Sequence, residues 1–141
     1  MNIISKQDMI EVLRNAGFRI TRQRLAIVAK MAGRLDHPSV KQIFNELNAS
    51  QPEISLATVY NTLNALVDLR LLKEIEFEES DNRFDTNLTP HINLICTVCG
   101  DIDDYMVKLP VRSSKLARER GFETSDYYLE YRGICNSCRT K

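Results

Sequence analysis

No stretch of this 141-residue chain is apolar for long enough to cross a membrane, and its start, Met1-Asn2-Ile3-Ile4-Ser5-Lys6, has no apolar signal-peptide core. A cytoplasmic protein with no membrane contact is expected, in a compartment that keeps thiols reduced. Catalytic signatures are missing too. There is no Ser/His/Asp set, no Gly-rich phosphate loop and no metal site with a position open to substrate, so an enzyme is not expected. Net charge is also absent, with 19 basic and 19 acidic residues. That balance hides an asymmetry: residues 1–72 carry nine Lys/Arg against six Asp/Glu, and residues 73–141 carry ten against thirteen. Residues 73–104 alone hold nine acids and only two bases, Lys73 and Arg83. A basic front suits a polyanion and an acidic middle suits a cation.

Cysteine is scarce, and none of the four is isolated: they form Cys96-Thr97-Val98-Cys99 and Cys135-Asn136-Ser137-Cys138, with 35 residues between the pairs. Two thiolates at this spacing grip one side of a tetrahedral ion, so two pairs make a closed four-cysteine site, and one structural zinc per chain is expected. Two disulfides are disfavoured by the reducing compartment. Two redox dithiols are disfavoured because neither pair sits in a βαβ setting and one pair would suffice.

Helical patterning fills the front half. Ser5 followed by Asp8 reads as a capped start, and Ile10, Leu13 and Ala16 keep helical spacing up to Gly17. Thr21 caps a second helix carrying Leu25, Val28 and Ala32, with Arg19, Arg22 and Arg24 crowding its start. Pro38 suits the first position of a third helix, in which Val40, Ile43, Phe44 and Leu47 recur. Ser55 caps a fourth helix with Leu56, Val59, Leu63, Leu66 and Val67 as an apolar stripe. Its other face shows Ala57, Thr58, Asn61 and Asn64, with Tyr60 at the border: small, amide and aromatic groups of the kind a major-groove reading helix presents to base edges. After Leu71 the period changes to two, and Glu79-Ser80-Asp81-Asn82 turns the chain into Arg83-Phe84-Asp85-Thr86 as a hairpin. This order predicts a winged helix-turn-helix DNA-binding domain over residues 1–86.

Residues 87–141 are expected to form a hinge and a small zinc-stapled domain. Asn87 to Pro90 reads as the hinge, His91 to Cys96 as a strand, Pro110 to Arg120 as a helix closed by Gly121, and Phe122 to Gly133 as further strand. The fold class is therefore α+β. About fifty residues make a thin core, which zinc would staple.

Four stretches carry a family resemblance: Gly17-Phe18-Arg19-Ile20-Thr21-Arg22-Gln23-Arg24, His37-Pro38-Ser39, Ile54-Ser55-Leu56-Ala57-Thr58-Val59-Tyr60 and His91-Ile92-Asn93-Leu94-Ile95-Cys96-Thr97-Val98-Cys99-Gly100. From about Met9 to Cys138 the chain resembles the ferric uptake regulator family. The resemblance implies a homodimeric repressor with a winged helix, a dimerisation domain, a four-cysteine structural zinc and a regulatory metal site. Matched residue by residue, the regulatory ligands are His37, Asp85, His91 and Asp104, with Asn93 where a second histidine of an HxH motif usually stands. Asn93 offers only a neutral amide oxygen, a weaker ligand than imidazole. Tyr127 and Tyr128 replace histidines common in the family, so its additional metal site is not expected here.

Asn61 after the recognition-helix Tyr60, and aspartates rather than glutamates at 85 and 104, lean toward the peroxide-sensing branch. The expected function is a metal-dependent transcriptional repressor that senses peroxide through Fe(II)-catalysed oxidation of His37 or His91, the chain's two histidines. An iron- or manganese-responsive uptake regulator of the same family is the alternative, and a zinc-bound redox protein the remote one. Imidazoles with oxygen ligands suit Fe(II) or Mn(II), whereas thiolates suit zinc, so one chain can sort two metals by ligand softness. The expected DNA contacts are Arg19, Arg22, Ser55, Ala57, Thr58, Tyr60 and Asn61, on double-stranded DNA with an A/T-rich inverted repeat.

Overall fold

The computed structural model describes residues 2–141. The chain divides into two compact units after Leu88. In the first, α1 (Lys6–Asn15), α2 (Arg22–Met31), α3 (Val40–Asn48) and α4 (Leu56–Asp68) precede a two-stranded antiparallel wing, β1 (Lys73–Ile75) and β2 (Arg83–Asp85). One device starts all four helices. The side-chain oxygens of Ser5, Thr21, Ser39 and Ser55 each accept the backbone N–H three residues on, at 3.1 Å. Each such cap stabilises its helix by about 1 kcal/mol.

The third helix begins later than its proline suggested. Ser39 is the cap, so Pro38 lies outside the helix, where its carbonyl accepts the Phe84 N–H at 2.9 Å. Met9 and Leu13, Ile27 and Met31, Ile43 and Leu47, and Val59, Leu63 and Leu66 meet in one core, with Phe84 of the wing beneath. On α4 the buried stripe is shifted from expectation. Leu56 is 42% exposed, whereas Thr62 is buried because its hydroxyl donates to the Thr58 carbonyl at 2.8 Å. An Ile3–Asn87 bridge returns the chain after the wing to the N-terminal segment.

The second unit, Thr89–Lys141, is a three-stranded sheet in the order β4-β3-β5: β3 (His91–Cys96), β4 (Ile102–Met106) and β5 (Glu130–Gly133). β4 runs antiparallel to β3 and β5 runs parallel to it. α5 (Ser113–Arg120) lies between β4 and β5, and α6 (Asn136–Arg139) follows. Gly121 closes α5 in the left-handed conformation, φ 60°, which lets the Phe122 N–H reach back to the Leu116 carbonyl. The strand expected over Phe122–Gly133 exists only from Glu130. Before it the Asp126 carboxylate accepts the Tyr127 N–H, a local bond that competes with strand pairing. α5 starts at Ser113 rather than Pro110.

Burial is uneven between the units. Among the described residues of Thr89–Lys141, the buried apolar side chains are Ile95 and Cys96. Tyr105, Phe122, Tyr128, Tyr131 and Ile134 are all more than half exposed. Among the described residues no helix is long and apolar enough to cross a membrane.

Candidate functional site

The cysteine cluster is built by sheet pairing. Cys96 ends β3 and Cys99 sits in the turn to β4, where the Gly100 N–H bonds back to the Cys96 carbonyl at 3.0 Å. Because β5 runs parallel to β3 with Gly133 opposite Cys96, the chain leaves β5 beside the first pair and delivers Cys135 to it. The four sulfurs lie within 4.8 Å of one another, with Cys99 Sγ 3.8 Å from Cys135 Sγ. A disulfide would bring two sulfurs to about 2.05 Å. The edge of a tetrahedron with zinc–sulfur bonds of about 2.3 Å is about 3.8 Å.

The electrostatics match the geometry. Cys96 Sγ accepts the backbone N–H groups of Cys99, at 3.5 Å, and Cys135, at 3.3 Å. These two donors, Cys99 first, push its thiol down to about 6. Cys138 is pushed up to about 12, chiefly by the adjacent Cys135 sulfur and then by burial. Four thiols this close cannot all ionise without a cation among them, and a divalent ion resolves the conflict. The donor set fits zinc.

Two groups of nitrogen and oxygen donors lie elsewhere, one on each unit. In the first unit, His37 Nε2 stands 3.8 Å from Asp85 Oδ2, and both residues are 2% exposed. Asp85 ends β2 and also accepts the Asn87 N–H at 2.9 Å. A buried carboxylate requires a cation or several donors. In the second unit, His91 and Asn93 lie two residues apart on one face of β3, and Asp104 stands opposite Asn93 on β4. The His91 Nδ1 proton goes to the Thr89 carbonyl at 2.6 Å, since a carbonyl can only accept. The Nε2 edge then faces two oxygens, Asn93 Oδ1 at 3.1 Å and Asp104 Oδ1 at 3.6 Å. With Nδ1 committed to the carbonyl, Nε2 is the ring nitrogen left for a metal ion. An imidazole anchored through one nitrogen to a backbone carbonyl is the usual setting of a metal-ligating histidine. Both groups fit Fe(II) or Mn(II) better than a soft ion.

The candidate DNA-reading residues sit on the outer side of the first unit. Tyr60 is 51% exposed, Ala57 and Asn61 are exposed, and Thr58 is partly covered while its hydroxyl bonds Ser55 at 2.8 Å. Leu56, Ala57, Tyr60 and Asn61 border a groove of about 460 Å³ whose other wall includes Glu74, Asp81 and Asn82 of the wing. The wing side of this groove is thus acidic. Arg19 and Arg22 are exposed. Arg24, half-buried, donates to the Arg19 carbonyl at 2.6 Å and lies over the Phe18 ring, 5.5 Å from its centre.

The model of the Ferric uptake regulator family matches residues 15–132. This chain belongs to the ferric uptake regulator family. Within it, the chain is similar to the peroxide-responsive repressor PerR of Staphylococcus aureus, 35% identical over 136 residues, which is 96% of this chain and 92% of that protein. A solved structure of PerR from Streptococcus pyogenes, described as the basis of its peroxide sensing and gene regulation, is 30% identical, covers 97% of this chain and 95% of its own, and has a TM-score of 0.53. A zinc-bound manganese uptake regulator is 27% identical over 90% of this chain and 98% of its own, with a TM-score of 0.63.

Proposed function

We propose that this family member is a homodimeric, metal-dependent transcriptional repressor that releases DNA in response to peroxide. The carrying observation is that each of its two histidines faces carboxylate oxygen, at His37–Asp85 and His91–Asp104, apart from the cysteine cluster. Similarity to peroxide-responsive repressors favours the same reading. Cys96, Cys99, Cys135 and Cys138 hold one structural zinc. His37, Asp85, His91, Asn93 and Asp104 supply the ligands of a regulatory Fe(II) or Mn(II). Bound Fe(II) would supply the reduction of peroxide, in which one peroxide oxygen goes to a ligand imidazole and the other leaves as water. The residues do the rest: the Thr89 carbonyl and Asp85 orient the two rings, and an oxidised ring is a poorer ligand. Metal occupancy then biases the DNA-binding state.

Residues 1–86 act as the DNA-binding domain, and residues 87–141 as the hinge and dimerisation domain. The exposed Tyr105, Phe122, Tyr128, Tyr131 and Ile134 form too much apolar surface for an isolated unit with so thin a core, which supports a dimer. A two-fold dimer reads an inverted repeat, and the short and amide side chains of α4 suit A/T-rich base edges. Work on the chromosome puts the protein in the cytoplasm.

The test is to load the zinc-containing dimer with Fe(II) or Mn(II) without oxygen, add stoichiometric peroxide, and follow operator binding while mapping peptides by mass spectrometry. The iron form alone is expected to gain one oxygen atom on the peptide containing His37 or His91 and to release DNA. Loss of binding through cysteine oxidation with both histidines unmodified would refute the mechanism. Asn93, a weaker ligand than imidazole, favours one second reading, an iron- or manganese-responsive uptake regulator. Metal-dependent DNA binding that is indifferent to peroxide would establish that alternative.

A further inference from the structure

Arg83 makes a set of contacts that the functional reading leaves unused. Its Nε donates to the His37 carbonyl and its Nη2 to the Asp36 carbonyl, the latter at 3.3 Å. Ser39 bridges Arg83 through the backbone, and the Phe84 N–H bonds the Pro38 carbonyl at 2.9 Å. The segment from Asp36 to Ser39 is therefore laid along β2 as an extra edge. His37 needs that support, because its backbone is left-handed, φ 50°, a conformation uncommon outside glycine. Strand alternation puts Arg83 and Asp85 on one face of β2 and Phe84, 1% exposed, in the core on the other. One face of three residues thus carries both the guanidinium that grips the His37 backbone and the carboxylate that faces the His37 ring.

The geometry points to Arg83 as a positioning residue that presets the His37–Asp85 pair for metal. It rests on the ligand assignment proposed above. Lysine cannot reproduce the role fully, because a single ammonium lacks the rigid fork that spans two neighbouring carbonyls. Methionine keeps much of the apolar stem and removes every donor.

The test uses the full-length, zinc-loaded dimer with Mn(II) as probe, titrated by electron paramagnetic resonance. Arg83→Met is expected to weaken Mn(II) binding at least tenfold while leaving zinc content unchanged, and Arg83→Lys to recover part of the loss. In the iron form with peroxide, oxygen incorporation in Arg83→Met is expected to shift from the His37 peptide toward the His91 peptide, a change that general destabilisation does not produce. Wild-type Mn(II) affinity with a wild-type oxidation ratio in Arg83→Met would overturn the proposal, even if thermal stability fell. So would Arg83→Lys binding no better than Arg83→Met, or a loss of operator affinity at saturating Mn(II) with Mn(II) affinity intact, which would make Arg83 a DNA contact. If Arg83→Met fails to fold, Arg83→Lys carries the same readouts against wild type, and unchanged values refute the role. Absence of Mn(II) binding in the wild type would sink the ligand assignment itself, a result distinct from failure of the arginine alone.

Discussion

Asn93 stands directly opposite Asp104 in the β3–β4 ladder, and its amide oxygen lies 3.1 Å from His91 Nε2. Directly opposed residues share one face of an antiparallel pair, so three oxygen and nitrogen donors converge although Asp104 is remote in sequence. Under the ligand assignment proposed above, the residue at position 93 tunes how strongly this group binds a cation. Asn93→His is expected to tighten Mn(II) binding by roughly tenfold, about 1.4 kcal/mol, measured by competition with a fluorescent chelator. Unchanged affinity would mean that Asn93 only orients His91.

That arrangement also marks where the sequence stopped being readable. Three helix starts are legible, because Ser5, Thr21 and Ser55 act locally and each cap bonds three residues ahead, whereas Pro38 draws the eye away from Ser39, the cap of α3. β4 went unanticipated: Asp103 and Asp104 interrupt its apolar pattern, and it is a strand because β3 pairs with it. The strand expected from Phe122 is another case, since pairing with β3 begins only at Glu130. Arg83 showed no signal at all, since its partners are backbone carbonyls 46 and 47 residues away. Local chemistry is written in neighbouring residues, and long-range chemistry only where a motif such as CxxC repeats.

Zinc removal is expected to affect the two units differently. The first has a core running from Met9 to Phe84, whereas the buried apolar residues of the second, among those described, are Ile95 and Cys96. Structural zinc contributes roughly 10 to 16 kcal/mol against a domain stability of about 5 to 15. Cys96→Ser is expected to lose zinc and dimerisation together while the helical signal of the first unit persists. Metal analysis, analytical ultracentrifugation and circular dichroism check it. A stable zinc-free dimer would contradict the assignment.

Asp36 gives a small acid-dependent contribution beside His37. Arg34 donates to both its carboxylate oxygens, at 2.9 and 2.7 Å, and holds it below the usual aspartate range. A carboxyl lowered on folding stabilises above its unfolded pKa, near 3.9, and the contribution is lost as pH falls through the lower folded value. The Asp36 side chain is 52% exposed, so solvent screening limits the pair to about 0.2 to 1 kcal/mol. Asp36→Asn is expected to lower thermal stability slightly at pH 7, with the difference from wild type shrinking as pH falls toward 3 or salt rises. A difference that instead grows on acidification would show that the ion pair is not the cause.

Two exposed side chains of the first unit are expected to fail differently on DNA. Tyr60 presents an aromatic ring on the outer face of α4, where it can meet base edges. Arg22 is a charge at the start of α2. Base contacts discriminate and phosphate contacts do not. Tyr60→Ala is expected to cost about 1 to 3 kcal/mol on the operator and almost nothing on random DNA. Arg22→Ala is expected to weaken both alike and to reduce the dependence of log K on log salt by about one unit, because one fewer phosphate is neutralised. Titration of each variant at several salt concentrations, against operator and scrambled duplexes, reads both effects at once. Equal losses on the two duplexes for Tyr60→Ala would remove α4 as the reading helix and move sequence recognition to another face of the unit.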